Sequence, residues 1–169
     1  MKPLAVNLPY PSIDGISKNL KTARKINDAY AGSHSEMTAI LQYVYQAFFF
    51  NKLGDKTSAD LLESIAMAEM KHLDVLGQLV LELGLDPVFA IITPCGYDFY
   101  SASNVRYDKT PRKMLMDDIS SELVAIQGFQ KIISSTCDER VIDVINRIKL
   151  DEELHVLALQ ERLSQIMQE

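Results

Sequence analysis

Long apolar runs, clustered cysteines and an excess of positive charge are all missing from this 169-residue sequence, and each absence narrows what it can be. No apolar stretch reaches the roughly 18–20 residues that a membrane-spanning helix needs. A net charge of −6 argues against nucleic acid as a main partner, because phosphate backbones demand cationic surface. The two cysteines, Cys95 and Cys137, stand alone with no Cys-x-x-Cys between them, which fits a reducing compartment and predicts a cytoplasmic protein. The opening MKPLAVNLPYPS carries one lysine and prolines at 3, 9 and 11, too short and broken an apolar run for a signal peptide. Confident strands are also lacking. Only Val88–Ile92 reads as one, and it is short.

Helical periodicity is what remains, in four segments. The first covers roughly 19–52, with Gly54 as its terminator. The second covers 57–83, capped by Thr57 or Ser58 and closed by Gly84 and Pro87. The third starts at Thr110-Pro111, an N-cap followed by a first-turn proline, and runs to about 135. The fourth runs from Asp138 to the end. Short links make segments one and two, and three and four, antiparallel pairs. Between the pairs lie about 25 residues, 85–109, long enough at about 3.3 Å per residue to cross the bundle lengthwise. The expected architecture is all-α: a four-helix bundle with one long crossover between helices 2 and 3, occupying 19–169 behind an extended segment, 1–18.

One phrase occurs twice. Ser35-Glu36-Met37-Thr38-Ala39-Ile40 is echoed 86 residues later by Ser121-Glu122-Leu123-Val124-Ala125-Ile126. The echo extends to the returning helices, which carry Glu69-x-x-His72 and Glu152-x-x-His155, each with an isoleucine four residues ahead of the glutamate. Two of only three histidines therefore follow a glutamate by three positions, a spacing that puts both side chains on one helix face. Apolar residues share each of those faces: Ile40, Tyr43 and Ala47 with Glu36; Ile65 and Leu76 with Glu69 and His72; Leu115 and Phe129 with Glu122; Ile148 and Leu159 with Glu152 and His155. All six polar side chains are thus expected in the core. His34, two residues before Glu36, falls on the outer side.

Four ionised carboxylates in a dry bundle repel one another, and each costs on the order of several kcal/mol to bury. Two divalent cations cancel that charge. Oxygen and imidazole donors without thiolate suit iron or manganese, and four glutamates with two Glu-x-x-His histidines make the dinuclear carboxylate site of ferritin-like bundles.

These motifs, with Ala29–Gln46 (AYAGSHSEMTAILQYVYQ) and Asp151–Leu163 (DEELHVLALQERL), resemble the ferritin-like superfamily and, within it, the rubrerythrin and manganese-catalase-like branch. The resemblance implies two iron or manganese ions and a reaction with hydrogen peroxide or dioxygen, as a peroxidase or catalase in oxidative-stress defence. Iron storage with ferroxidase activity, or a structural metal-binding bundle, is the alternative. It also implies that Glu69 and Glu152 bridge the metals, Glu36 and His72 complete one, and Glu122 and His155 the other. Asp151, just ahead of Glu152, would reach His72 across the bundle, and Tyr43 could hydrogen-bond a ligand carboxylate.

The sequence departs from rubrerythrins in two ways. It has no rubredoxin domain, so an electron donor such as rubredoxin would be a separate protein. Ile119 and Ala125 stand where a further glutamate is found. Manganese catalases are longer, and no methionine is marked as a haem ligand. Three successive phenylalanines, Phe48–Phe50, cannot all face inward, which points to a homo-oligomer, a dimer or larger. The aromatic Cys95–Ser101 is expected to pack the crossover on the bundle or to lid the site. Lys109–Lys113 reads as a solvated basic patch.

Overall fold

The computed structural model describes residues 1–168. Asn19 opens the first helix, its side-chain oxygen accepting the Thr22 N–H, and α1 spans Leu20–Ala31. The single helix expected over 19–52 is in fact two. Gly32 ends α1 by turning its N–H onto the Asp28 carbonyl, where a Cβ would stand 2.5 Å from that oxygen. Ser33–Ser35 are non-helical, and α2 spans Glu36–Leu53. The run Gly-Ser-His-Ser offers little helix propensity, and periodicity on either side conceals the break.

Gly54, at φ +81°, reverses the chain. The next helix, α3, spans Lys56–Glu82. Its cap is Asp55, which accepts the Ser58 N–H, rather than Thr57 or Ser58. The helix α4 spans Pro111–Ile133 with proline in its first turn. The helix α5 spans Glu139–Ile166, and Asp138 caps it by accepting the N–H groups of Arg140 and Val141. In the loop from α3 to α4, β1 (Ala90–Thr93) and β2 (Gly96–Phe99) form an antiparallel hairpin, with Ala90 opposite Phe99 and Thr93 opposite Gly96. Thus Val88–Ile92 overlaps a true strand, while β2 was not anticipated.

The crossover is held on the bundle by Asn27 Nδ2 donating to the Ala90 carbonyl (2.6 Å), Tyr30 Oη donating to that of Pro87, and Phe89 stacked on Tyr30. Tyr97 and Phe99 are exposed, so the aromatic stretch does not pack inward as expected. In that stretch Tyr100 reaches α2, its hydroxyl 3.2 Å from Thr38 Oγ1. Cys95 and Cys137 are free and exposed. Phe50 is buried while Phe48 is 64% exposed. Among the described residues no helix is long and apolar enough to cross a membrane.

The result is a ferritin-like four-helix bundle in which α1 and α2 together form the first arm. Its core is in two parts. One includes Ile26, Tyr30, Leu76, Leu79, Phe129 and Ile148. The other includes Tyr43, Phe50, Leu62, Ile65, Leu115 and Leu159. Leu62 and Leu76 are fully buried, so truncating either to alanine costs about 2–5 kcal/mol. Along every arm the two parts are separated by one polar position or pair: Glu36, Glu69 with His72, Glu122, Glu152 with His155. That polar layer is the candidate site.

Candidate metal centre

Each arm delivers its polar group by simple helical spacing. On α3, Glu69 and His72 lie one turn apart between Ile65 and Leu76; on α5, Glu152 and His155 lie between Ile148 and Leu159. Glu122 lies midway along α4, and Glu36 is the first residue of α2, presented by the break after Gly32. All six are buried, the two histidines completely.

They converge in two overlapping groups. Glu36, Glu69, His72 and Glu152 form one; Glu69, Glu122, Glu152 and His155 form the other; in each, one donor atom per residue lies within 4.8 Å of the rest. Glu69 and Glu152 belong to both. His72 Nδ1 is 2.9 Å from Glu69 Oε2 and 3.0 Å from Glu152 Oε1. His155 Nδ1 is 3.0 Å from Glu69 Oε1 and 3.4 Å from Glu152 Oε2. Despite this crowding, Glu36 Oε1 is buried without a hydrogen-bond partner, and Glu69 Oε1, Glu152 Oε1 and His155 Nδ1 face their neighbours at 3.0 Å without hydrogen-bond geometry. Orphaned donors and acceptors of this kind are costly unless a cation occupies the space among them. The donor set and its orphans fit a dinuclear metal site built on oxygen and imidazole nitrogen.

Protonation follows from the crowding. Burial pushes the Glu36 and Glu122 carboxyls well above the usual range, and the charges of Glu69 and Glu152 push them further. Burial acts the same way on Glu69 and Glu152, but the imidazoles beside Glu69, and the Glu122 carboxyl together with the imidazoles beside Glu152, prevail and hold both below the usual range. Burial disfavours the charged imidazoles, yet the surrounding carboxylates raise His72 and His155 well above the ordinary histidine value. Without metal the crowding therefore favours the charged forms of Glu69, Glu152, His72 and His155 and the neutral acids of Glu36 and Glu122.

The ring nitrogens facing away from the cluster are tied down. His72 Nε2 lies 3.1 Å from Asp151 Oδ2, and His155 Nε2–H donates to the Leu4 carbonyl at 2.8 Å. With Nε2 held in this way, Nδ1 is the nitrogen turned toward the carboxylates, and it is the one that would give up its proton to serve as a metal ligand. Asp151 is itself gripped by the Val6 N–H (2.7 Å), the Tyr10 hydroxyl (2.9 Å) and the Arg147 guanidinium (2.7 Å). Burial would raise its pKa, but these donors, with His72, hold it at about 2. The Tyr10 hydroxyl is pushed up to about 12, chiefly by burial. Arg147 also bonds the Val6 and Leu8 carbonyls and lies over the Tyr10 ring, 4.3 Å from its centre. Leu4 N–H donates to the Ser64 carbonyl, so the segment over residues 4–10 is strapped across the histidine side of the cluster.

Tyr43 donates its hydroxyl to Glu122 Oε1. A turn away, Asp118 is fully buried on α4, its Oδ1 accepting from Gln42 Nε2 (2.7 Å) and Gln46 Nε2 (2.9 Å), and burial lifts its pKa to about 7. Sequence reading missed Asp118, although its place four residues before Glu122 marks the same face. It also missed the strap. Arg147, four residues before Asp151 on an apolar face, was its one local sign. His34 is exposed, in the α1–α2 break rather than on a helix.

Fold and site together define a class: a four-helix carboxylate bundle with a buried histidine–glutamate cluster suited to two metal ions. The family model of the ferritin-like domain matches residues 25–168, and the chain belongs to that family. No curated protein matches it in sequence. Among solved structures it is similar to KatB, a manganese catalase from Anabaena, at 21% identity and a TM-score of 0.82, covering 95% of this chain and 78% of that one. It is also similar to the bacterioferritin of Rhodobacter capsulatus, whose structure has a metal-free dinuclear site and haem iron. There the identity is 22% and the TM-score 0.75, over 90% and 89% of the two chains.

Proposed function

We propose that this protein holds two iron or manganese ions and reduces or disproportionates hydrogen peroxide, as a peroxidase or catalase protecting against oxidative stress. The observation carrying this reading is the pair of overlapping donor groups with Glu69 and Glu152 in common. In it, Glu69 and Glu152 would be shared by both ions, Glu36 and His72 would hold one, and Glu122 and His155 the other. Two adjacent ions that each change by one oxidation unit supply the electron pair that splits an O–O bond.

The chain's own groups do the rest. Asp151 and the Leu4 carbonyl hold Nε2 of each imidazole, so that Nδ1 is aimed inward and is the nitrogen left to bind metal once its proton is lost. Tyr43 orients Glu122, which takes up or returns a proton as the bound oxidant changes charge. Leu76 on α3 and Ile148 on α5, both fully buried, exclude water from the part of the layer they adjoin. An external one-electron donor such as rubredoxin is required for a peroxidase, whereas disproportionation needs none. The exposed Phe48 supports assembly into a dimer or larger oligomer.

The test is metal analysis of protein purified without added metal, followed by stopped-flow mixing of the reduced, loaded protein with peroxide and, separately, with dioxygen. Faster reaction with peroxide is expected. The bacterioferritin likeness favours a second reading, iron storage; rapid dioxygen consumption with mineral build-up in a cage-sized particle would establish that instead. If neither oxidant alters the centre, the enzymatic reading fails.

A further inference from the structure

The cluster is closed on its histidine side by the strap, but open on the other. A cavity of about 660 Å³ runs from the surface to Glu36, Tyr43, Glu69, Glu122 and Glu152. Asp28, Ser33, His34 and Lys131, all exposed, ring its mouth, and the break between α1 and α2 forms one edge. Its walls are apolar: Ala39, Val124, Ala125, Phe129 and Ile132. Hydrogen peroxide is little larger than water, whose share of liquid volume is about 30 Å³. The space thus exceeds one peroxide by more than tenfold and falls in the range of about 300–1,000 Å³ that holds organic ligands.

Two details say that the space is kept rather than left over. Gly128 stands in the second half of α4 and lines the cavity, with no atom within 4 Å of where a Cβ would be. Glycine inside a helix is destabilising relative to alanine, so its presence there beside open space preserves room at the wall. Ser35 Oγ also borders the cavity, buried and without a hydrogen-bond partner. It is a hydroxyl available to a ligand's polar end, next to the orphaned Glu36 Oε1. Ser121, from the second copy of the Ser-Glu phrase, lines the same cavity.

We infer that the cavity binds an alkyl or aryl hydroperoxide, with its hydrocarbon part against α4 and its O–O group among the carboxylates, Tyr43 and Ser35. This deepens the peroxide reading and rests on it for the chemistry. In that step the O–O bond breaks and the hydroperoxide takes up two electrons and two protons, leaving as alcohol and water. Hydrogen peroxide supplies both electrons and both protons on oxidation to dioxygen, so that ROOH + H₂O₂ gives ROH + H₂O + O₂.

Binding is measured apart from turnover. Cumyl alcohol, the unreactive product of cumene hydroperoxide, is titrated into the metal-free full-length protein and followed by calorimetry and amide chemical shifts. Saturable binding with a Kd on the order of 0.1–1 mM is expected, with shifts centred on Ala125, Gly128 and Phe129. Gly128→Ala, Gly128→Leu and Gly128→Phe all favour the helix, with folding checked by circular dichroism, and should weaken binding in order of added volume, at least tenfold for the last. In loaded protein the kcat/KM ratio of cumene hydroperoxide to hydrogen peroxide should fall along the same series.

Absence of saturable binding up to roughly 10 mM, or a ratio unmoved by the series, overturns the inference. A protein that binds cumyl alcohol as described yet leaves hydrogen peroxide untouched sinks the peroxide reading while leaving the binding site standing.

Discussion

Filling the cluster with metal must expel protons, and their number follows from the charges. Without metal, Glu69 and Glu152 are pushed toward the ionised form, His72 and His155 toward the protonated form, and Glu36 and Glu122 toward the neutral form, which in the limit sums to zero charge. With two divalent ions, four carboxylates and two neutral imidazoles again sum to zero. Up to four protons leave, one each from Glu36, Glu122, His72 and His155. Each adds up to about 1.36 kcal/mol of affinity per pH unit, so between pH 6 and 7 the pair of metals should bind more tightly by up to about 5.4 kcal/mol, or 10⁴-fold. The assay is calorimetric titration of the metal-free protein with manganese(II) in buffers of differing ionisation enthalpy; the slope of observed against buffer enthalpy counts the protons. More than one and up to four per two metals is expected. Zero or one would refute the protonation scheme, and with it the claim that these six residues take the metals.

Other outcomes follow from the same geometry. In the metal-free protein the raised His72 and His155 contribute stability below about pH 6.5 that is lost as pH rises, and the raised Glu36 and Glu122 add a loss from about pH 4.5 upward. Its Tm should therefore fall between pH 6.5 and 8.5, a trend that verified metal loading should abolish. Tyr10→Phe removes one donor from Asp151 and should cost about 1–2 kcal/mol in urea unfolding of the metal-free protein, while speeding metal loss to a chelator about tenfold. Asp118, with a pKa near 7, holds a proton in the folded state that the unfolded chain has lost, so Asp118→Asn should leave urea stability unchanged at pH 4 and raise it by up to about 4 kcal/mol at pH 8. Among ligand variants, Glu152→Ala should lose more metal than Glu36→Ala, because Glu152 belongs to both donor groups.

The parts of the molecule that repeat at helical spacing were legible in the sequence. Glu69 with His72, and Glu152 with His155, announce themselves as charged pairs on apolar faces, and the echo of Ser35-Glu36 in Ser121-Glu122 ties them into one layer. Asp138 and Pro111 mark helix starts through local chemistry, and both serve as read. What stayed hidden depends on non-local or aperiodic backbone. The strap works through the Leu4 carbonyl and the Val6 N–H, groups every residue possesses, so no side-chain pattern betrays them. The break at Gly32 sits between two segments whose apolar faces continue across it. The hairpin is held by Asn27 and Tyr30 from a helix more than fifty residues earlier in the chain, a partnership that local propensity does not encode.

The most direct test of the central claim is anomalous-difference crystallography of protein purified without added metal, collected at the manganese and iron edges. Two peaks about 3.5–4 Å apart are expected, both within bonding distance of Glu69 and Glu152, with His72 Nδ1 on one and His155 Nδ1 on the other. An ordered, fully folded cluster with no peak after growth in metal-replete medium, or peaks bound to residues elsewhere, would contradict it.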